Sequence, residues 1–310
     1  MLAYYAKRSP GEEFEKLKAP LKEGVWVDGS NLSVEDIDEL IGTYDLARNI
    51  VYDVRDHHEL PRVEIHDEAV YVFIRIPRLA KSGHVVSSPM LCVVKKDIFL
   101  SLTQFDSISP ETVAATTLPV TTRETQELLL GVIAACVDEY QESIYHTERS
   151  INDTANRLRS HEVTNQDFIH FVVVEDNLTA YRMNLEGLIA VVKRLRDSQD
   201  GSLSSINTEA LEDILLQIQQ LLVAVESYGG RVKSIRGAYS TIANNNLNKR
   251  MKILTVITVL ITLPNVIFGM YGMNVMLPFA QQPWAYGAIV GVSLVLILFV
   301  FAIARRLRIF

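Results

Sequence analysis

The sequence predicts an α/β domain followed by a long-helix stalk and two carboxy-terminal transmembrane helices. Three observations carry this reading. From Ile253 to Met270 there are 18 residues without a charge, which as a helix reach about 27 Å, near the thickness of bilayer hydrocarbon. A second apolar run, Trp284–Ala304, follows after the short 271–283 stretch. Upstream, Leu211, Ile214, Ile218, Leu221, Val225, Tyr228, Val232, Ile235, Tyr239 and Ile242 alternate at spacings of 3 and 4, as a coiled-coil-like helix requires. The first 120 residues instead hold short β-branched and aromatic runs separated by turn residues.

Composition agrees. The chain has 310 residues, 48% of them hydrophobic, with a mean hydropathy of +0.15, which fits a large water-exposed part carrying few spans. Met1 leads into Tyr4, Tyr5, Lys7 and Arg8 without an apolar stretch, so no signal peptide is expected. Cys92 and Cys136 are far apart and form no CxxC pattern; reduced core cysteines are expected.

Charge is unevenly spread. Six of the 30 basic residues (Lys249, Arg250, Lys252, Arg305, Arg306, Arg308) and none of the 37 acids lie after residue 248, leaving the first 248 residues at a formal −13. Such an acidic portion argues against nucleic acid as a partner and is compatible with attracting cations. No P-loop or other nucleotide motif is present. The basic clusters flank both spans on one side, so the positive-inside rule places both termini in the cytoplasm and the 272–283 loop outside; the expected location is the inner (plasma) membrane.

In chain order, residues 1–120 are expected to form a cytoplasmic α/β domain, with strands at Leu2–Ala6, Gly24–Val27, Pro61–Ile65 and Ala69–Ile76. Leu91–Val94 and Asp97–Leu102 should form a hairpin through Lys95 and Lys96. Ser33-Val34-Glu35-Asp36 is a capping signature that opens a helix through Leu40 and Ile41. Val51–Glu59 places His57 and His58 among acids, but adjacent histidines point apart on any regular element, so a solvated loop is expected there rather than a first-row metal site. Residues 121–205 should form a helical hairpin (Glu124–Leu158 and Gln166–Leu195) and 206–250 the stalk. Spans at 251–271 and 284–304 then flank the 272–283 external loop, and a basic tail occupies 305–310.

Polar residues within the first span are ordered. Thr255, Thr258, Thr262 and Asn265 are spaced 3, 4 and 3, one stripe along a helix. A polar stripe in a span faces other helices or a water-filled cavity. Tyr271-Gly272-Met273-Asn274 follows at the end of that span, and a second span stops near the carboxy terminus. In this arrangement the chain resembles the CorA-type family of divalent-cation transporters, whose signature is Gly-Met-Asn at the outer end of the first of two carboxy-terminal membrane helices. The runs VWVDGSNLSVEDIDEL and Pro61-Arg62-Val63-Glu64 before an aromatic-rich strand are also similar to that family.

The resemblance implies a funnel-shaped homopentamer in which five copies of the first span enclose a pathway. Asn248, Thr258, Thr262 and Asn265 would line it. Met251 and Leu254 would form a hydrophobic gate, and Gly272, Met273 and Asn274 a selectivity filter. It implies Mg²⁺ as transported ion and as intracellular regulator, held by Asp53 of one subunit and Asp213 of its neighbour, with Asp138 as a weaker candidate. Mg²⁺ dehydrates reluctantly, so a ring of neutral amide and carbonyl oxygens would grip it through its water shell. Three departures from the family stand out: Tyr52 replaces an acid beside Asp53, the second hairpin helix is not strongly acidic, and the loop after Asn274 (Val275–Pro283) has no acid.

Two other readings are open. Co²⁺, Ni²⁺ or Zn²⁺ could be the ion, although no His or Cys lies in the proposed pathway. Alternatively, the spans could merely anchor a coiled-coil scaffold or sensor, which would make no demand on the Thr/Asn stripe. An enzyme is not expected: no catalytic triad, metal cluster or glycine loop stands out, and His146, His161 and His170 read as helix-face residues.

Overall fold

The computed structural model describes residues 1–19, 23–80, 82–159, 165–198, 203, 206–273 and 282–306. The chain divides into two compact units, Met1–Ser234 and Ile235–Phe310.

The first unit is built on a seven-stranded mixed sheet: β1 (Leu2–Ala6), β2 (Glu15–Leu17), β3 (Val25–Ser30), β4 (Arg62–His66), β5 (Ala69–Leu79), β6 (Val85–Lys95) and β7 (Ile98–Thr103). The strand order is β2-β1-β3-β7-β6-β5-β4, and β3 with β7 is the parallel pair. β4 and β5 pair His66 with Ala69, leaving Asp67 and Glu68 as a two-residue loop with φ of 47° and 59°, the geometry a hairpin of this length favours. β6 and β7 close at Lys95–Ile98, the hairpin that the Lys95-Lys96 turn predicts.

The apolar runs in β5 and β6 are continuous because both faces of the sheet are covered. Helices α1 (Val34–Tyr44) and α2 (Arg48–Tyr52) pack on one face, where Ile37, Leu40, Ile50 and Val51 meet Tyr71, Phe73, Leu91 and Leu100. The alternate residues Val70, Val72, Ile74, Met90 and Cys92 are equally buried and by the two-residue period face the other side. The helices α4 (Thr125–Arg159) and α5 (Asn165–Asp197) pack there, after the short α3 (Pro110–Ala114). Both cysteines are free and buried, and burial raises both thiol pKa values.

Ser33 caps α1 reciprocally with Asp36, as its spacing predicts. The segment expected as a solvated loop differs. Residues Arg48–Tyr52 are helical and Asp53–Arg55 form a 3₁₀ turn, because Val51 and Val54 insert into the core at 0% and 1% exposure. Only Arg55, Asp56, His57 and His58 are left exposed.

Helix α6 (Thr208–Tyr271) is 64 residues long. Of its regular apolar row, Leu211, Ile214, Ile218, Val225 and Val232 are buried within this one chain. The Leu211–Val232 part of the row therefore packs within the chain's own first unit. Polar contacts accompany it: Gln217 Nε2 donates to Asp138 Oδ1 (3.1 Å) and Gln141 Oε1 (3.3 Å) on α4.

The second unit contains the rest of α6 and α7 (Ala285–Arg306). Both helices are long and apolar enough to cross a membrane. Ile267 and Tyr271 line one apolar recess together with Trp284, Ala285, Ala288 and Ile289, so α7 starts beside the end of α6 and runs back along it. Asn274 and the residues after it to Gln281, His161, residues 199–202 and Arg308 lie outside the described residues.

Candidate functional site

The geometry of α6 in the second unit separates two faces. Ile253, Val256, Leu260, Leu263, Pro264 and Ile267 are wholly or partly covered, at spacings that form one row facing α7. Thr255, Thr258, Thr262 and Asn265 are exposed. At 3.6 residues per turn their row is centred about 170° around the helix from the covered one. Met251 and Leu254 lie on the same open side at 55% and 58% exposure, and Asn248 is exposed one turn further in.

Each threonine of the stripe donates its hydroxyl hydrogen to a carbonyl four residues back. Thr255 bonds Met251 O (2.9 Å), Thr258 bonds Leu254 O (2.9 Å) and Thr262 bonds Thr258 O (2.7 Å). With the hydrogen committed, the outward face of each hydroxyl is lone pairs. A hydrated cation presents water hydrogens outward, so a row of acceptors suits it. At the end of the helix Gly272 N donates to Phe268 O (2.9 Å) and Met273 N to Met270 O (3.3 Å), which closes the last turn; Met273 is 59% exposed.

The three acids singled out in the sequence stand apart in one chain. Asp53 Oδ2 is paired with Arg62 Nη2 at 2.7 Å. The same guanidinium also meets Glu59 and Glu64 and lies 4.4 Å from the Phe73 ring centroid. Tyr52 is turned to α1, its hydroxyl donating to Asp38 (2.8 Å) beside Arg48. Asp138 is exposed on α4 and accepts from Gln217, while Asp213 is exposed on α6. Beside Asp138, half-buried Glu139 has its carboxyl pKa raised by burial, against the pull of Arg78. Among the described residues no three His, Cys, Asp or Glu side chains are close enough to hold a metal. One chain therefore does not bring these acids together around a regulatory ion; donors from a second copy would be needed, and Asp53 shares the Arg62 guanidinium with Glu59 and Glu64.

Sequence reasoning missed the part played by Arg62. It begins β4, and its alternation with Glu64 on one face of a strand was the available signal. Arg75 was missed as well: its guanidinium donates to the carbonyls of Glu59 (2.6 Å), His57 (3.1 Å) and Ser87 (2.5 Å), tying down the segment between Asp53 and Arg62. Periodicity gives no signal for a side chain that bonds main-chain oxygens.

An α/β head, a helix that continues into the first of two spans, and a polar row turned away from the second span define a class of helical membrane protein. The model of the family described as CorA-like Mg²⁺ transporter protein matches residues 22–306, and the chain belongs to that family. It is 22% identical over 303 residues to the cobalt/magnesium transport protein CorA of Thermotoga maritima, covering 91% of this chain and 85% of that one. Identity to the protein of the same name from Methanocaldococcus jannaschii is 22% over 292 residues, with 91% and 90% covered. The complete structure of the CorA magnesium transporter from Methanocaldococcus jannaschii superposes with a TM-score of 0.82 at 19% identity, over 99% of this chain and 98% of that one.

Proposed function

We propose that this chain conducts hydrated Mg²⁺ across an inner (plasma) membrane as a homopentamer, with both termini in the cytoplasm. The observation that carries the reading is the exposed Thr255/Thr258/Thr262/Asn265 row, with its hydroxyl hydrogens tied back and its face opposite the one α7 covers. A lone span gains nothing from such a row in lipid; copies facing one another around water do. The relatives named as cobalt/magnesium transport proteins support the ion class.

In this reading the ion meets Gly272, Met273 and Asn274 first and is held through its water shell by neutral oxygens, weakly enough to leave. Asn265, Thr262, Thr258 and Asn248 pass it inward. Met251 and Leu254 form an apolar constriction that closes by excluding water. Two charges crossing 100 mV gain roughly 4.6 kcal/mol, so an inside-negative potential drives uptake without ATP. Asp53 and Asp213 of adjacent copies, with Asp138 nearby, would sense intracellular Mg²⁺, and binding there has to displace Arg62 from Asp53.

The test is flux into proteoliposomes under an imposed voltage, comparing Mg²⁺, Co²⁺, Ni²⁺ and Zn²⁺. Mg²⁺ uptake that Asn274→Ala abolishes is expected. Vesicles that stay impermeable to every divalent ion would overturn the proposal and leave the membrane-anchored scaffold.

A further inference from the structure

From Ser227 to Phe310 the chain has nine Lys or Arg and no Asp or Glu. Five of these cations gather at one end of the two spans. Helix α7 begins beside Ile267 and Tyr271 and returns along α6. Its 22 residues rise about 33 Å. Arg305 and Arg306 in its last turn therefore come back to the level of Lys249, Arg250 and Lys252, in the turns of α6 just before the uncharged run.

The rotational setting is equally specific. Lys249 and Lys252 continue, at spacings of 3 and 4, the row Val256, Leu260, Leu263 and Ile267 that lies against α7. The seam between the two helices thus starts among aromatics and ends among cations. Lys249, Lys252 and Arg250 all lie off the Thr/Asn row, about 100° or more around the helix from its centre. All five side chains are exposed, and none takes part in an ion pair among the described residues.

Five like charges with no acid in their unit repel one another unless an anion comes from elsewhere. They lie where apolar helix surface gives way to charged residues, the level at which a bilayer offers headgroup phosphates. The geometry points to a binding site for the headgroup of an anionic phospholipid at this end of the seam, walled by Lys249 and Lys252 from α6 and Arg305 and Arg306 from α7. The acyl chains run along the apolar outer faces of the same helices. The site needs both helices, so it also clips the two spans together at that end. None of this depends on which ion, if any, the chain conducts.

The test uses the full chain in nanodiscs of phosphatidylcholine containing spin-labelled phosphatidylglycerol or spin-labelled phosphatidylcholine. The native chain is expected to retain the anionic lipid about tenfold more strongly, and to lose that preference in high salt. Lys249→Gln with Lys252→Gln, or Arg305→Gln with Arg306→Gln, is expected to bring the two lipids within about twofold. Arg231→Gln with Lys233→Gln, elsewhere on α6, is expected to leave the preference intact. Equal retention of the two lipids by the native chain overturns the site, as does a preference that survives both double substitutions or that free inorganic phosphate abolishes at equal ionic strength. Because the first readout is on the native chain, a variant that failed to insert would not rescue the proposal.

Discussion

Arg62 Nη2 and Asp53 Oδ2 are 2.7 Å apart, so the acid proposed to sense intracellular Mg²⁺ is already paired, through a guanidinium it shares with Glu59 and Glu64. Both partners are partly exposed, at 29% and 46%, and exposed pairs of this kind contribute only about 0.2–1 kcal/mol. A divalent ion can therefore compete. Arg62→Gln is expected to shift closure to lower internal Mg²⁺, whereas Asp53→Asn removes the dependence. Flux from proteoliposomes loaded with graded internal Mg²⁺ reads both. Unchanged dependence in Asp53→Asn would remove Asp53 from the sensing role.

Substitution at Thr258 separates chemistry from packing. The Thr258 hydroxyl bonds its own helix and is exposed, so Thr258→Val keeps the shape and removes an acceptor without opening a cavity. Thermal unfolding of the detergent-solubilised protein should be nearly unchanged. Mg²⁺ flux should fall about tenfold, the effect of roughly 1.4 kcal/mol on a barrier, and Thr258→Ser should restore it. Full flux in the valine variant would remove the Thr258 hydroxyl from the ion's path.

Close packing next to Arg62 is testable at Gly187. A Cβ there would lie 2.8 Å from Pro61 Cγ, in the residue that precedes Arg62. Gly187→Ala should destabilise the first unit by about 1–3 kcal/mol, the usual effect of overpacking. Denaturant unfolding of the full chain followed by Trp26 fluorescence would measure it.

Buried Asp28 gives a pH prediction. It accepts from Ser101 Oγ (2.7 Å) and Ser107 Oγ (2.8 Å), and burial raises its carboxyl pKa despite these bonds. A folded state that holds the proton more tightly than the unfolded one is favoured below the ordinary carboxylate range, and loses that contribution as pH rises through the elevated value. Asp28→Asn should therefore flatten the fall in stability with rising pH over this window. Melting curves from pH 4 upward compare the two; parallel curves would show that Asp28 does not contribute.

Long and strongly patterned elements were legible in the sequence. Both spans, β1, the capped start of α1 and the β6–β7 hairpin follow from periodicity and turn residues. The five-residue helices α2 and α3 and the three-residue β2 did not, because one turn or three residues hold too little pattern to read. The row from Leu211 to Val232 is subtler. Its spacing reports that one face is buried but not what buries it, and the structure assigns that face to the chain's own first unit. At the candidate site the Thr/Asn stripe was legible from spacing alone. The Asp53–Arg62 pair was not, since its members are nine positions apart across a 3₁₀ turn.

The hydroxyls of Thr255, Thr258 and Thr262 have one further consequence. A wall that can only accept hydrogen bonds feels an ion second-hand, through how strongly that ion polarises its own water. Such a wall discriminates by sign and charge density and is nearly blind to radius. Magnesium and cobalt, alike in valence and tightly solvated, would look much the same to it, and any choice between them has to be made outside this stretch of helix.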